Sequence, residues 1–164
     1  AGGVAPVAAT TSNAPVIWNP MGSNRNLVLL KVVASLTATG TTAAGSIVYG
    51  TLTGVGSQVG TAAPFTSGTF VAGVNCLLGS GNLSQMKFAP ATCATVGTPT
   101  LICASGIGQA TAATTATPVV NLTDWIYGAV VIPPGNTFHI MAPGAIASTS
   151  CFSIFALELP IFTP

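Results

Sequence analysis

Charge is what this sequence has least of. Asp, Glu, Lys and Arg together make up 3% of the chain, against about 25% in an ordinary soluble domain. They are few enough to name: Arg25, Lys31, Lys87, Asp124 and Glu158, with His139 as the lone histidine. The formal net charge is +1. No basic field exists for nucleic acid or for an anionic membrane surface, so neither is expected as a partner. A surface this poor in charge has little electrostatic protection against association. Burial against copies of itself, or within a larger assembly, reconciles such a surface with solubility.

Metal-binding patterns are missing too. The four cysteines, Cys76, Cys93, Cys103 and Cys151, are widely spaced, with no Cys-x-x-Cys and no Cys/His cluster. That excludes the usual zinc sets. The plainer reading is four small buried hydrophobes. A disulfide is the alternative, and Cys93 with Cys103, flanking Gly97-Thr98-Pro99, is the pair to test first.

Long apolar runs are absent. A spanning helix needs about 20 consecutive apolar residues. The best run, Leu27–Ala34, is short and contains Lys31. Two Trp and two Tyr supply no aromatic girdle for a membrane barrel. Ala1-Gly2-Gly3 has neither the basic nor the apolar region of a signal peptide. No membrane association is expected.

Catalytic patterns are equally scarce. A carboxylate pair would have to use Asp124 and Glu158, the only two acids, without the polar subsites of a glycosidase. A Ser-His-Asp triad would need His139 and Asp124, and no Gly-x-Ser-x-Gly elbow accompanies them. Ala104-Ser105-Gly106-Ile107-Gly108 lacks a phosphate-loop lysine and dinucleotide-binding spacing. Asn82-Leu83-Ser84 and Asn121-Leu122-Thr123 match glycosylation acceptors by pattern alone. His139, in Phe138-His139-Ile140-Met141, reads as a strand residue facing solvent or an interface. The expectation is a protein that is not an enzyme and uses no cofactor.

What is present is β-prone sequence cut by Pro and Gly. The last third carries three apolar runs: Trp125–Ile132, Thr137–Ala142 and Cys151–Leu159. Pro133-Pro134-Gly135-Asn136 and Pro143-Gly144-Ala145 separate them as turns. Leu27–Leu36 is nearly continuous in apolar residues, which predicts a strand covered on both faces. Ser46–Thr53 predicts another. Thr69–Leu78 fits a strand or a short helix. Gln85–Phe88, Thr98–Ala104 and Pro118–Leu122 predict short strands, with Thr123-Asp124 as a turn.

Amphipathic helical periods are nearly missing, and Thr and Val are abundant. The fold class is all-β: an antiparallel, jelly-roll-like sandwich of about eight strands. Residues 1–20 are expected to form an extended N-terminal arm, and residues 21–164 a single sandwich domain. The arm is either a polar, flexible tail or a segment that lies across a neighbouring subunit, as an added strand. The candidate interface residues are Ala1, Val4, Pro6 and Val7 in the arm, with Trp18, His139 and Glu158. Trp18, Trp125, Tyr49 and Tyr127 read as core or interface anchors before carbohydrate-stacking residues.

Several stretches carry a resemblance. They are Asn19-Pro20-Met21-Gly22-Ser23-Asn24 with Asn26–Val32, then Thr42–Gly50, Val130–Phe138 and Phe155–Ile161. Together they resemble tailed-bacteriophage virion structural proteins of the small jelly-roll or β-sandwich kind. Residues 54–117 are outside the likeness. The resemblance implies a head-decoration (cement) protein or a fibre component. Such a protein would be a homotrimer bound to a major capsid protein or another virion protein, on the head surface rather than the tail. Two alternatives stand beside it. One is a tail-fibre or receptor-binding adhesive module. The other is an extracellular filament subunit using N-terminal strand exchange.

Overall fold

The computed structural model describes residues 15–38, 45–51, 65–67, 71–74, 81, 83–89, 94–95, 100–109, 121–141 and 149–161. In chain order the elements begin with β1 (Val16–Trp18), a 3-10 turn (Met21–Ser23), β2 (Arg25–Ala38) and β3 (Gly45–Thr51). Five shorter or middle strands follow: β4 (Phe65–Ser67), β5 (Val71–Ala72), β6 (Lys87–Ala89), β7 (Ala94–Thr95) and β8 (Thr100–Gln109). The last four are β9 (Asn121–Trp125), β10 (Val131–Ile132), β11 (Thr137–Met141) and β12 (Thr149–Pro160).

Two antiparallel sheets face each other. The larger runs β5-β6-β1-β11-β3-β8. The smaller is built on β2, with β12 along one edge and β9 and β10 sharing the other. β4 and β7 form a separate two-stranded ribbon. This is the expected all-β sandwich, and its core lies between the sheets. Leu27, Leu29, Val32 and Ala34 of β2 and Ile132 of β10 meet Ile17, Tyr49, Phe138 and Ile140 of the larger sheet.

The register explains which residues point inward. Side chains alternate along a strand, so Ile17, Phe138 and Tyr49 on adjacent strands share the core face. Along β2 the alternation changes phase. Phe155 pairs with Lys31 but Ala156 pairs with Leu29, so Leu30 is an extra residue. This bulge lets Leu27 and Leu29, then Val32 and Ala34, all face the core.

The bulge also divides the run Trp125–Ile132, which the sequence predicts as one strand. Ile126 and Tyr127 both donate backbone N–H bonds to the Leu30 carbonyl, at 2.8 and 3.0 Å. Gly128 donates to Leu29 at 2.7 Å. Tyr127 and Gly128 have φ of 51° and 80°. The chain therefore kinks opposite the bulge, with β9 before the kink and β10 after it.

Other expectations also change. Val16–Trp18, counted with the arm, is an interior strand between β6 and β11. Residues 1–14 lie outside the described residues. Thr123-Asp124 is not a turn but part of β9, paired with Val33 and Val32. β2 has one buried face rather than two, since Val28, Lys31 and Val33 on its other side are half-exposed. Burial on both faces falls instead on β11, where all five residues are covered, and on Ile47–Gly50 of β3.

Candidate functional site

The corner joining β1 to β2 and β10 to β11 is held by Asn19, which is 0% exposed. Its Nδ2 donates to the carbonyls of Arg25 and Ile132, each at 2.8 Å, and its Oδ1 accepts from Ser23 Oγ at 2.5 Å. Its backbone N–H donates to Asn136 and its carbonyl accepts from Gly135. Asn19-Pro20-Met21-Gly22-Ser23 and Pro133-Pro134-Gly135-Asn136 are thus one three-dimensional feature. Gly135 has φ of 83°, and a Cβ there would collide with the Met21 side chain. We expect Gly135→Ala to lower stability by about 1–2 kcal/mol, the strain of a left-handed residue. A wild-type chemical denaturation midpoint in that variant would refute the account.

A second polar group sits where the two sheets meet. Tyr49 Oη donates to Asp124 Oδ2 at 2.8 Å, from β3 to β9. Burial, with Asp124 as acceptor and negative neighbour, raises the Tyr49 phenol far above its ordinary value. Tyr49 is therefore a fixed hydrogen-bond donor and not an acid. Tyr49→Phe should cost about 1.5–3 kcal/mol, the range for a bond to a charged acceptor. Its loss is measurable by urea unfolding, and a change below 0.5 kcal/mol, roughly the noise of such measurements, would contradict that role.

Cys103 and Cys151 are free thiols, so the Cys93–Cys103 bridge does not form. Cys103 is exposed rather than buried. The partial cover the sulfur still has, with the charge of Asp124, raises its pKa, which disfavours a reactive thiolate. Cys76 and Cys93 lie outside the described residues. Among the described residues no group of three or more His, Cys, Asp or Glu could hold a metal ion.

Of the predicted interface residues, the described ones, Trp18, His139 and Glu158, do not share one exposed surface. Ala1, Val4, Pro6 and Val7 lie outside the described residues. Trp18 is half-buried on β1. Glu158 points to the sheet junction, where it accepts from Ser84 Oγ and from the Gln85 N–H at 3.1 Å. Arg25 lies 3.9 Å from it. His139 is 1% exposed within the single chain, which corrects its placement at solvent or at an interface. It lies on the outer side of β11, in a row with Val16 and Gly50. Its Nε2 is 2.7 Å from Thr137 Oγ1, and Nδ1 has no partner among the described residues. Burial pushes its pKa down to about 4.

The surface that does stand out is the outer face of the smaller sheet. Trp125 is 53% and Tyr127 78% exposed. Beside them Val131, Phe155, Leu157 and Leu159 are exposed on the same face, and Ile161 follows at its end. Trp125, Lys31 and Phe155 form an in-register row across β9, β2 and β12. The Lys31 ammonium lies 4.9 Å from the Trp125 ring centre and 4.4 Å from that of Phe155. Tyr127 stacks beside Trp125, centroids 5.5 Å apart and planes at 17°. Every second residue from Phe155 to Ile161 is thus a large apolar side chain in water. Core residues of the same strand, Phe152 and Ile154, face the other way.

Residue-level reasoning on the sequence missed this face. The signal was in β12, where both alternating sets carry large apolar side chains, Phe152 and Ile154 on one and Phe155, Leu157 and Leu159 on the other, but a run of that kind does not say which set the fold leaves open. Tyr49, grouped with the other aromatics, is a core residue. No family model, curated protein or solved structure matches the chain.

Proposed function

We propose that the chain is a non-enzymatic structural subunit whose outer sheet face is covered in a larger assembly. The observation that carries this is the row of exposed aromatic and aliphatic side chains from Trp125 to Leu159 on one sheet face. Contiguous apolar surface of that kind marks protein contact sites on soluble chains. The near-absence of charge supports the same reading.

In its specific form the subunit is a virion decoration or cement protein. It binds a head lattice through this face and stabilises it by added apolar contact, while copies form a trimer through other surfaces. That form rests on the likeness of the Asn19 and Pro133–Asn136 stretches to phage virion proteins. The adhesive-module reading draws on one observation, the exposed Trp125–Tyr127 stack, which is a geometry that sugar rings also use.

Sedimentation velocity on the full chain, with hydroxyl-radical footprinting of free and assembled forms, tests the proposal. The expected result is a discrete trimer, with Trp125, Tyr127 and Phe155 oxidised when free and protected in the assembly. A soluble monomer at high concentration, or open-ended fibres, would sink it. Glycan-dependent protection of Trp125 and Tyr127 would favour the adhesive reading instead.

A further inference from the structure

We propose that the outer face takes a different protein, not a second copy of this chain, and that the partner's apolar contact surface carries a carboxylate over Lys31. This rests on reading the face as an assembly contact and specifies what it contacts.

Lys31 sits mid-strand on β2, the strand around which the smaller sheet is built. The rings of Trp125 and Phe155 flank it on either side. They hold the ammonium in place through their negative faces. An ammonium closed into an apolar contact without an anion is strongly unfavourable, and the two rings offset only part of the lost hydration. The face is therefore complementary to an apolar surface with one negative charge near its middle.

Neither acidic side chain of this sequence is placed to supply that charge. Its two acids are Asp124 and Glu158. Asp124 turns inward and accepts from Tyr49. Glu158 turns to the sheet junction and is held by Ser84, Gln85 and Arg25. In a two-fold contact the same patch meets itself, so the two Lys31 ammonium groups would approach each other in a dry interface. Nucleic acid is a poor occupant too. Its phosphates call for a field of cations, and Lys31 is the one cation in this aromatic row.

The test uses the full chain and three blocked pentapeptides. Each has two leucines and two valines around a central Glu, Gln or Lys. The readout is the Trp125 indole resonance, assigned by its disappearance in Trp125→Phe. The Glu peptide should bind about ten-fold tighter than the Gln peptide, which is the weight of one charge pair. Lys31→Met should bring that ratio to about one, and Lys31→Glu should turn the preference to the Lys peptide. Equal affinity for the Glu and Gln peptides overturns this inference and leaves the face as an assembly contact. Binding of none of the three overturns the docking role of the face itself. A Trp125 shift that grows with protein concentration alone assigns the face to a second copy, and also overturns the inference.

Discussion

Replacing Asn19 by alanine is expected to cost about 3–5 kcal/mol of stability, because several buried polar groups lose their partner at once. The side chain is fully enclosed and uses its whole amide. Two donors go to the Arg25 and Ile132 carbonyls, and the acceptor takes Ser23 Oγ. Ile132 lies 113 positions away in the chain, so the amide ties the start of β2 to the end of β10. Alanine keeps the backbone bonds to Gly135 and Asn136 but leaves the Ile132 carbonyl buried without its donor. Asn19→Asp separates hydrogen bonding from volume. It has nearly the same shape, yet an aspartate cannot donate and would place charge against two carbonyl oxygens. It should be at least as damaging as alanine at neutral pH. An Asn19→Asp protein within about 1 kcal/mol of wild type, the net worth of a single ordinary hydrogen bond, would show that the amide network is not what holds this corner.

That corner also marks the limit of what the sequence made legible. The Pro133–Asn136 turn was readable from residue chemistry, since Pro sets φ and Gly135 permits a positive one. The strands at Leu27–Leu36, Thr137–Ala142 and Cys151–Leu159 were readable from apolar runs. The bond between Asn19 and Ile132 was not, because nothing local in Val16–Pro20 points to a partner so distant. The kink at Tyr127–Gly128 escaped for a related reason. It answers a bulge at Leu30 on the neighbouring strand, and a strand's own sequence does not record its neighbour's register. His139 was misplaced because alternation predicts one wet face for a strand, while β11 is enclosed on both sides. The exposed row at Trp125 and Phe155 reverses that error, with apolar residues turned outward where burial was the default. In each case the local pattern gave the strand, and the tertiary arrangement decided which side meets water.

The enclosure of His139 carries the second large effect, a loss of stability in mild acid. The folded chain holds the imidazole neutral, with its pKa lowered to about 4 from 6.5 by burial. The unfolded chain leaves it near the ordinary value of about 6.5. Between those values the unfolded state binds a proton that the folded state refuses, so stability falls as pH falls. Above pH 6.5 both states are neutral at this site and it contributes no slope. From about pH 6.5 down to about 4 the loss accumulates to about 3 kcal/mol. Both ring nitrogens must carry hydrogen in the charged form. Nε2 has Thr137 Oγ1 within reach, whereas Nδ1 has no partner among the described residues to accept from it. Protonation therefore adds a charge and an unsatisfied donor inside an apolar layer with Val16 and Met141. Urea unfolding at intervals from pH 7.5 to 4.0 should trace the decline in wild type. His139→Leu removes the titrating group and fills the same layer, so its profile should be flatter by about 3 kcal/mol over that window. Should the leucine variant lose as much stability as wild type on acidification, the decline belongs to other groups and His139 is not its source.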